Sequence, residues 1–277
     1  MCRKRAFAAT AQMPTPRLLT LGLATAALLA ASPAFASGAK PAAPAAAAQT
    51  PAQSSAQDAS TPTKASPEVR AEAERMEPLA RAAFWASQVD ADRKDADAGI
   101  KLAAALRAMA RYDDAAQAVE AVLVLQPQNL EALLERARVA VASGQGFYAI
   151  EPARKAMLIA PKDWRAATLL AVALEQAQRP DEALEAHRKA MALAPDNSVV
   201  LSNAAMFYAA QGDKAEAEIL LRKAVAKAGA TLQVRQNLAL VLGLQGKMAE
   251  AEKIEREDLP PQMAQANLDY FKAASAP

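Results

Sequence analysis

Few side chains in this sequence could act as metal ligands or nucleophiles. The 277 residues include one histidine, His187, and one cysteine, Cys2. Zinc sites use several His, Cys or carboxylate ligands at short spacing, and His187 has no second His or Cys near it in the sequence. Glycine-rich phosphate loops, G-x-S-x-G elbows and H-E-x-x-H motifs are also missing from the sequence. We therefore expect no metal site and no cofactor.

Two acidic pairs, Asp113–Asp114 and Asp181–Glu182, have the composition of a carboxylate dyad for general acid–base catalysis. Both pairs fall at the same place in a repeated pattern, at the expected start of a helix. Carboxylates are favoured there because the positive end of the helix dipole attracts them. This structural role accounts for both pairs, and we predict that the protein is not an enzyme.

The composition favours helices and gives no electrostatic reason to bind nucleic acid. Alanine dominates the apolar residues, and only 9 residues are glycine. Four of the 32 Lys and Arg residues, but none of the 30 Asp and Glu residues, precede Ser37. The rest of the chain is therefore close to neutral, whereas a general DNA or RNA binder needs a strong positive field.

Three prolines mark an internal repeat. Pro127, Pro161 and Pro195 end similar triplets and are 34 residues apart. This is the period of the tetratricopeptide repeat (TPR), a helix–turn–helix unit that ends at proline. We therefore predict an all-α TPR solenoid of about five repeats with helical caps at both ends. The predicted repeats are 96–129, 130–163, 164–197, 198–231 and a shortened 232–259.

Other positions of the 34-residue unit agree when each proline is counted as position 32. Small residues at positions 8 and 20 would let the two helices of a repeat approach closely. Alanine occupies position 8 as Ala103, Ala137, Ala171, Ala205 and Ala239, and position 20 as Ala115, Ala149, Ala183, Ala217 and Ala251. Position 15, at the turn between the helices, is Gly144, Gly212 and Gly246 in three repeats but Ala110 and Gln178 in the other two.

Two residues of the second repeat depart from the pattern. Arg136 stands at position 7, where leucine is usual, and Pro152 falls within the second helix. Pro152 should remove a backbone hydrogen bond and bend that helix, unless the helix begins late enough to place the proline in its first turn. Arg136 is expected either to project toward a partner or to snorkel out of the seam between the helices.

Residues 67–95 and 260–277 are predicted to cap the array, because the apolar edges of terminal repeats must be covered. In the first cap, Pro78 is expected in the first turn of a helix, and Phe84 and Trp85 are expected to cover the first repeat. An exposed aromatic docking site is the alternative for these two rings. The closing helix is expected to use Met263, Leu268, Tyr270 and Phe271.

Residues 1–36 have the pattern of a cleaved export signal. An apolar run of 14 residues follows Arg17 and precedes Ala34-Phe35-Ala36, which fits the A-x-A pattern of signal peptidase. The run is short for a helix that crosses about 30 Å of hydrocarbon, so an uncleaved anchor is the lesser alternative. Met13 is an alternative start residue.

Residues 37–66 are predicted to be a disordered linker, because this Ala- and Pro-rich stretch has almost no large apolar side chains to bury. The mature protein is expected to be periplasmic and soluble, without a stable transmembrane segment after signal cleavage. Association with the outer membrane would then depend on its partners.

The first helices of a TPR array line a concave groove that is suited to peptide capture. The groove positions are 2, 5, 9, 12 and 13, with position 6 at the edge. Asn203 and Asn237 occupy position 6 in adjacent repeats, and two amides there could hold the backbone of an extended peptide. Simple solvation of both amides is the alternative. The predicted groove residues are Glu131, Leu134, Arg138, Arg165, Thr168, Val172, Glu175, Ser202, Asn203, Met206, Gln236, Asn237, Leu240 and Leu244.

The C-terminal half carries a more specific pattern. Residues 234–246 (VRQNLALVLGLQG), together with 258–261 (DLPP), 266–270 (ANLDY) and the earlier 82–86 (AAFWA), resemble the TadD family of TPR proteins from the tight adherence (Tad) system. The resemblance covers about residues 75–272. It implies an exported, non-catalytic scaffold that binds protein partners during Flp (type IVb) pilus biogenesis and secretion.

The partners implied by this resemblance are the outer-membrane secretin, its accessory proteins or pilin-like subunits. Many members of that family look lipid-anchored, whereas this sequence has Ser37 and no cysteine after its apolar run. A general periplasmic TPR adaptor for envelope or cell-wall assembly complexes is the alternative function. The oligomeric state and the binding face stay open.

Overall fold

Residues 63–275 are described by a computed structural model. The predicted export signal and all but the last four residues of the predicted linker lie outside this range. Between residues 63 and 275 the chain forms thirteen α-helices and no strand, which confirms the predicted all-α class. The helices are α1 (Pro67–Ala73), α2 (Pro78–Ala91), α3 (Ala96–Ala108), α4 (Tyr112–Leu125), α5 (Leu130–Ala142), α6 (Gly146–Ile159), α7 (Trp164–Gln176), α8 (Pro180–Leu193), α9 (Ser198–Ala210), α10 (Lys214–Val225), α11 (Leu232–Leu244), α12 (Met248–Asp258) and α13 (Pro261–Ser275).

Each predicted repeat begins on the first residue of a helix, because a helix cap occupies position 34. In three repeats the proline at position 32 cannot continue the preceding helix, and a short polar side chain two residues later accepts a hydrogen bond from the first turn of the next helix. An additional cap of this kind, Asp95, starts the first repeat. The capping residues are Asp95, Asn129, Asp163, Asn197 and Thr231.

The turn between the two helices of a repeat uses a left-handed residue at position 15 in all five repeats. Gly144, Gly212 and Gly246 have φ of 73°, 89° and 77°. Ala110 and Gln178 adopt the same conformation, with φ of 56° and 57°, although a side chain disfavours it. The turn geometry is therefore imposed by the packing of the helices and not by glycine alone.

The alanines at positions 8 and 20 hold the two helices of each repeat together. All ten are fully buried. A methyl side chain at each of these places lets the helix backbones approach closely and adds apolar contact at no cost in side-chain entropy. This explains how helices so rich in alanine pack closely within each repeat.

The helices form two layers with different spacing. The first helices of successive repeats (α3, α5, α7, α9 and α11, the inner helices) pack on one another, and α13 packs on α11 in the same way. The second helices (α4, α6, α8, α10 and α12, the outer helices) pack on the inner helices before and after them. Between residues 63 and 275 no substantial contact joins one outer helix to the next. The array therefore curves with its inner helices on the concave side.

Pro152 lies in the second turn of α6, because that helix begins at Gly146. The alternative of a late helix start is therefore wrong. The helix nevertheless continues to Ile159. Since proline has no N–H, the Tyr148 carbonyl loses the hydrogen bond that residue 152 would otherwise donate.

The first cap covers repeat one with Trp85, which is fully buried against Ala73 and Ala98. The Arg70 guanidinium and the Lys101 ammonium lie 5.0 Å and 4.7 Å from the centre of the Trp85 ring, a cation–π arrangement on a buried indole. Phe84 is half-buried beside Trp85. Burial of this indole argues against the alternative of an exposed aromatic docking site.

Residues 63–66, the last four of the predicted linker, contact the first cap. The Ala65 N–H donates to the Gln88 side chain at 2.7 Å, and the Lys64 ammonium lies 3.0 Å from the Asp95 carboxylate. Ser66 is the N-cap of α1 and accepts a hydrogen bond from the Val69 N–H. Residues 63–66 therefore pack against the helices of the first cap.

The closing helix α13 covers the last repeat with Leu268 and Phe271, which are both buried. Gly243 makes the close approach possible, because a Cβ on this residue would lie 2.5 Å from the Phe271 ring. Met263 is half-buried, whereas Tyr270 is exposed and does not help to close the core. In the described part of the chain no helix is long and apolar enough to cross a bilayer.

Candidate functional site

The concave surface of the inner helices (the inner groove) is the candidate site. Most of the predicted groove residues are at least partly exposed and therefore accessible from this side. Glu131 is exposed, and the half-buried members are Arg138, Arg165, Val172, Glu175, Asn203, Met206, Gln236, Asn237, Leu240 and Leu244.

Three predicted groove residues are buried, and the structure corrects the prediction there. Leu134 is 0% exposed and packs against Ala166 of the next inner helix. The Thr168 hydroxyl donates to the Trp164 carbonyl at 2.9 Å within its own helix. The Ser202 hydroxyl accepts a hydrogen bond from the next repeat. Position 5 faces the seam between adjacent inner helices in these three repeats, so these side chains support the groove and do not line it.

The part of the inner groove formed by α5 and α7 is charged. Arg165 donates to both oxygens of Glu131, at 2.7 Å and 3.1 Å, and also bonds Asp163 through Nε and Nη2. Glu131 and Arg165 both occupy position 2, so this pair joins adjacent repeats. The Arg165 hydrogen bonds hold the pKa of the Asp163 carboxyl below its usual value, and the two carboxylates raise the pKa of Arg165.

Glu135 was not among the predicted groove residues, yet it organises the arginines of this charged part. It is almost fully buried, accepts from Arg107 Nε at 2.7 Å, and accepts from Arg138 at 3.2 Å. Glu135 occupies position 6, the same place as Asn203 and Asn237. This shared position could have identified Glu135 as a groove residue from the sequence. Its partner Arg107 lies at position 12 of the preceding repeat, which is also a groove position.

His187 is a buried packing residue. The side chain is 1% exposed and lies 5.0 Å from the Phe207 ring. Its Nε2 is 2.5 Å from the Glu175 carboxylate at the edge of the inner groove. The histidine therefore fixes the position of one groove carboxylate from behind. Within residues 63–275 no group of three or more His, Cys, Asp or Glu side chains is placed to hold a metal ion.

The other end of the inner groove, formed by α9 and α11, is neutral. Met206 and Leu240 are half-buried and pack against the core below them. Asn237 donates to the Ser202 hydroxyl at 3.0 Å and accepts from the Gln233 amide at 2.9 Å. Its amide is thus largely occupied by its own repeats. Asn203 is half-buried at the same position and makes no side-chain hydrogen bond with the described residues.

The C-terminal sequence pattern has a structural role at this end. The Arg235 guanidinium donates to both oxygens of Asp258, at 2.9 Å and 2.8 Å, and the Gln236 amide lies 3.5 Å from the same carboxylate. These contacts tie α11 to the end of α12, just before α13 begins. Gln236 is therefore turned toward this junction.

Comparisons with known proteins agree with this architecture. Residues 174–241 match the family model described as tetratricopeptide repeat. A thermophilic TPR protein of Thermus thermophilus has a TM-score of 0.54 and 24% identity, over 64% of this chain and 96% of its own. A tetratricopeptide repeat protein of Parabacteroides merdae has a TM-score of 0.61 and 14% identity, over 70% and 78%. MamA of Desulfovibrio magneticus has a TM-score of 0.50 and 20% identity, over 57% and 90%.

No curated protein sequence matches the chain significantly. At the identities just given, the likeness to solved structures concerns the fold alone, and it confirms the predicted TPR solenoid. TPR arrays generally act as non-catalytic scaffolds, and their repeats typically bind protein partners.

Proposed function

We propose that this TPR protein is a non-catalytic scaffold that binds an extended segment of a protein partner in its inner groove. The observation that carries the proposal is the division of the groove. One end presents arginines held in fixed positions by Glu135 and Asp163, and the other presents Met206, Leu240 and the amide of Asn203.

A groove of this kind suits a segment that is charged at one end and apolar at the other. The arginines are already oriented by buried or half-buried carboxylates, so little side-chain entropy is lost when they bind a ligand. The apolar end offers partly exposed side chains over a packed core, which can gain buried area on binding. Since Asn237 bonds Ser202 and Gln233, we assign backbone capture chiefly to Asn203.

We further propose that the protein acts in the periplasm during assembly of Flp (type IVb) pili by the tight adherence system. The support is the resemblance of residues 234–246, 258–261 and 266–270 to the TadD family. Residues of these stretches join the last repeat to α13 through Arg235, Asp258 and the Asn267 contact to Glu255.

The groove is tested with variants that change its neutral end. Asn203→Ala combined with Leu240→Ala should abolish capture of pilus or secretin components from periplasmic extract, because both a hydrogen-bonding amide and an apolar contact are removed. Ile219→Ala is a matched control, since it removes an exposed apolar side chain from the outer helix α10. Undiminished capture by the double variant would contradict groove binding.

The pilus role is tested by deleting the gene in the bacterium that encodes it and counting surface fibres. We expect loss of fibres, with restoration by the wild-type chain and not by the groove variant. Intact fibres, together with co-elution of cell-wall or other envelope assembly proteins, would instead support the general periplasmic adaptor.

A further inference from the structure

We propose that a cleft on the outer face of the second repeat (the outer cleft) is a second binding surface, which takes an acidic partner segment that carries an aromatic side chain. The outer cleft lies on the side of the array opposite the inner groove, so this proposal is independent of groove binding. The cleft has a volume of about 530 Å³ and its lining includes Glu120, Leu133, Arg136, Phe147, Ile150 and Pro152.

The outer cleft contains an arginine at position 7 of the second repeat, where the other repeats have an apolar side chain. The other four repeats have Leu102, Leu170, Ala204 and Leu238 at this place. The Arg136 side chain is 24% exposed and points out of the seam between the helices. Its Nε donates to the Glu120 carboxylate at 3.3 Å. Among the described residues this is its only hydrogen bond, so both terminal nitrogens can still bind a carboxylate in a bidentate manner.

Two aromatic side chains form one wall of the outer cleft. Phe147 and Tyr148 occupy positions 18 and 19, where the repeats before and after have acidic pairs. They are 72% and 60% exposed, and their rings meet edge to face at 5.7 Å. Because the neighbouring outer helices do not pack directly on α6, no element of the described structure covers these rings.

Pro152 belongs to the same wall, one turn further along α6. Its ring adds rigid apolar surface beside Tyr148, and its missing N–H leaves the Tyr148 carbonyl without its usual donor within the helix. The unusual residues of the second repeat, Arg136, Pro152 and the aromatic pair, therefore converge on one surface.

The charge around the outer cleft favours an acidic ligand. Four cationic side chains and two carboxylates line it. A third carboxylate, that of Glu182, adjoins the lining and is shared by Arg154 at 3.0 Å and Arg179 at 2.6 Å. Lys155 is paired with Glu151 at 2.8 Å. Four cations thus face three carboxylates, an excess of one positive charge, and among the described residues Arg136 keeps both terminal nitrogens unpaired.

Together these features specify the chemistry of the partner. A carboxylate can replace solvent at the Arg136 fork, while an adjacent aromatic ring packs on Phe147 and Tyr148 in an edge-to-face arrangement. The volume is within the range of small-ligand sites and accommodates a few side chains of a peptide in an extended conformation.

The test uses the full-length chain and three fluorescent synthetic peptides. One is acidic and aromatic (EEFPEF), one reverses the charge (KKFPKF), and one lacks the aromatic rings (EEAPEA). Fluorescence anisotropy should show saturable binding of the first peptide that weakens with added salt, and no saturable binding of the second. The third should bind more weakly than the first.

Arg136→Leu is the decisive variant, because leucine is the residue found at this position in three other repeats. We expect it to weaken binding of the acidic aromatic peptide at least about tenfold. Its melting temperature should be equal to or above that of the wild type, which separates loss of binding from loss of fold. Phe147→Ala should also weaken binding, whereas Tyr270→Ala, which removes an exposed ring from α13, should not.

Equal binding by Arg136→Leu and wild type would overturn the proposal, as would equal binding of the acidic and basic peptides. Binding that is lost in the groove variant Leu240→Ala and retained in Phe147→Ala would assign the peptide to the inner groove and would also overturn it. If Phe147→Ala converts a dimer to a monomer in sedimentation, the outer cleft is a self-association surface and the proposal is wrong.

Discussion

At the level of single residues, position 15 shows that the repeat tolerates a side chain in a left-handed turn where glycine would be favoured. Ala110 and Gln178 adopt the left-handed conformation that three other repeats assign to glycine. A non-glycine residue in this conformation costs about 1–2 kcal/mol, so each of these two turns is less stable than it could be.

We expect Ala110→Gly to stabilise the protein by about 0.5–1 kcal/mol, because relief of backbone strain outweighs the added freedom of the unfolded chain. Gly144→Ala is the reverse change at an equivalent turn with open space around its Cα, and it should destabilise. Thermal unfolding of the two variants gives the comparison. A lower melting temperature for Ala110→Gly would contradict the prediction. Gln178→Gly is less suitable, since it also removes a hydrogen bond to the Glu175 carbonyl.

Asp163 makes the stability of the folded protein depend on pH. Hydrogen bonds from Arg165 lower the pKa of Asp163 in the folded protein. Its stabilising contribution is therefore present above the unfolded pKa, near 4, and is lost as the pH falls through the lowered folded value. Asp163→Asn keeps an N-cap acceptor but loses the ion pair, so it should cost about 1–2 kcal/mol at pH 7.

The measurement is urea unfolding from pH 7 down to pH 3. The gap between wild type and Asp163→Asn should narrow as the pH falls below about 4, because protonation removes the same charge. Asp181→Asn, which changes an exposed carboxylate at the start of α8, is the control. A gap that stays constant over this range would contradict the assignment.

At the scale of the helices, the contact between α12 and α13 is where a single substitution should stabilise the protein most easily. Glu255 is fully buried between them. Among residues 63–275 only one of its carboxylate oxygens has a hydrogen-bond partner, the Asn267 amide at 2.8 Å. Burial raises the pKa of Glu255. The folded state therefore binds the proton more tightly than the unfolded state, and stability falls as the pH rises from the unfolded pKa to the folded one.

Glu255→Gln should raise the melting temperature at pH 7, since it removes the buried charge and keeps an acceptor for Asn267. Each kcal/mol corresponds to about 2–4 °C in a chain of this size. The benefit should shrink near pH 4, where the carboxyl is protonated. Glu257→Gln, an exposed neighbour on the same helix, should show no such pH dependence. An equal effect of Glu255→Gln at both pH values would contradict the prediction.

The sequence marks where each inner helix begins, because every predicted repeat start is the first residue of an inner helix. The exposure of individual side chains could not be predicted. The proline at position 32 of three repeats and the capping residue at position 34 act within one chain segment, so the sequence alone reveals them. Leu134 and Glu135, by contrast, are adjacent residues whose burial is set by the approach of the neighbouring inner helix. The exposure of Phe147 depends likewise on the spacing of the outer helices, which no local pattern encodes.

At the scale of the whole molecule, stability should be graded along the array, because each helix contacts only its neighbours in the stack. Deleting residues 260–277 removes the cover over Gly243 and its surroundings. We expect faster amide hydrogen exchange in α11 and α12, with little change in α3 to α6. Uniformly faster exchange throughout would show instead that the array unfolds as one cooperative unit.

Each repeat starts at a capped helix, so whole repeats can be added to or removed from the molecule. If a second copy of residues 164–197 were inserted after Asn197, its first helix would begin directly after Asn197, which is a helix N-cap. That helix would pack on α8, as α9 does now. Gene duplication could therefore lengthen or shorten such a protein by whole units without redesigning its interior. The distance spanned between two bound partners would then change in steps of one helical hairpin.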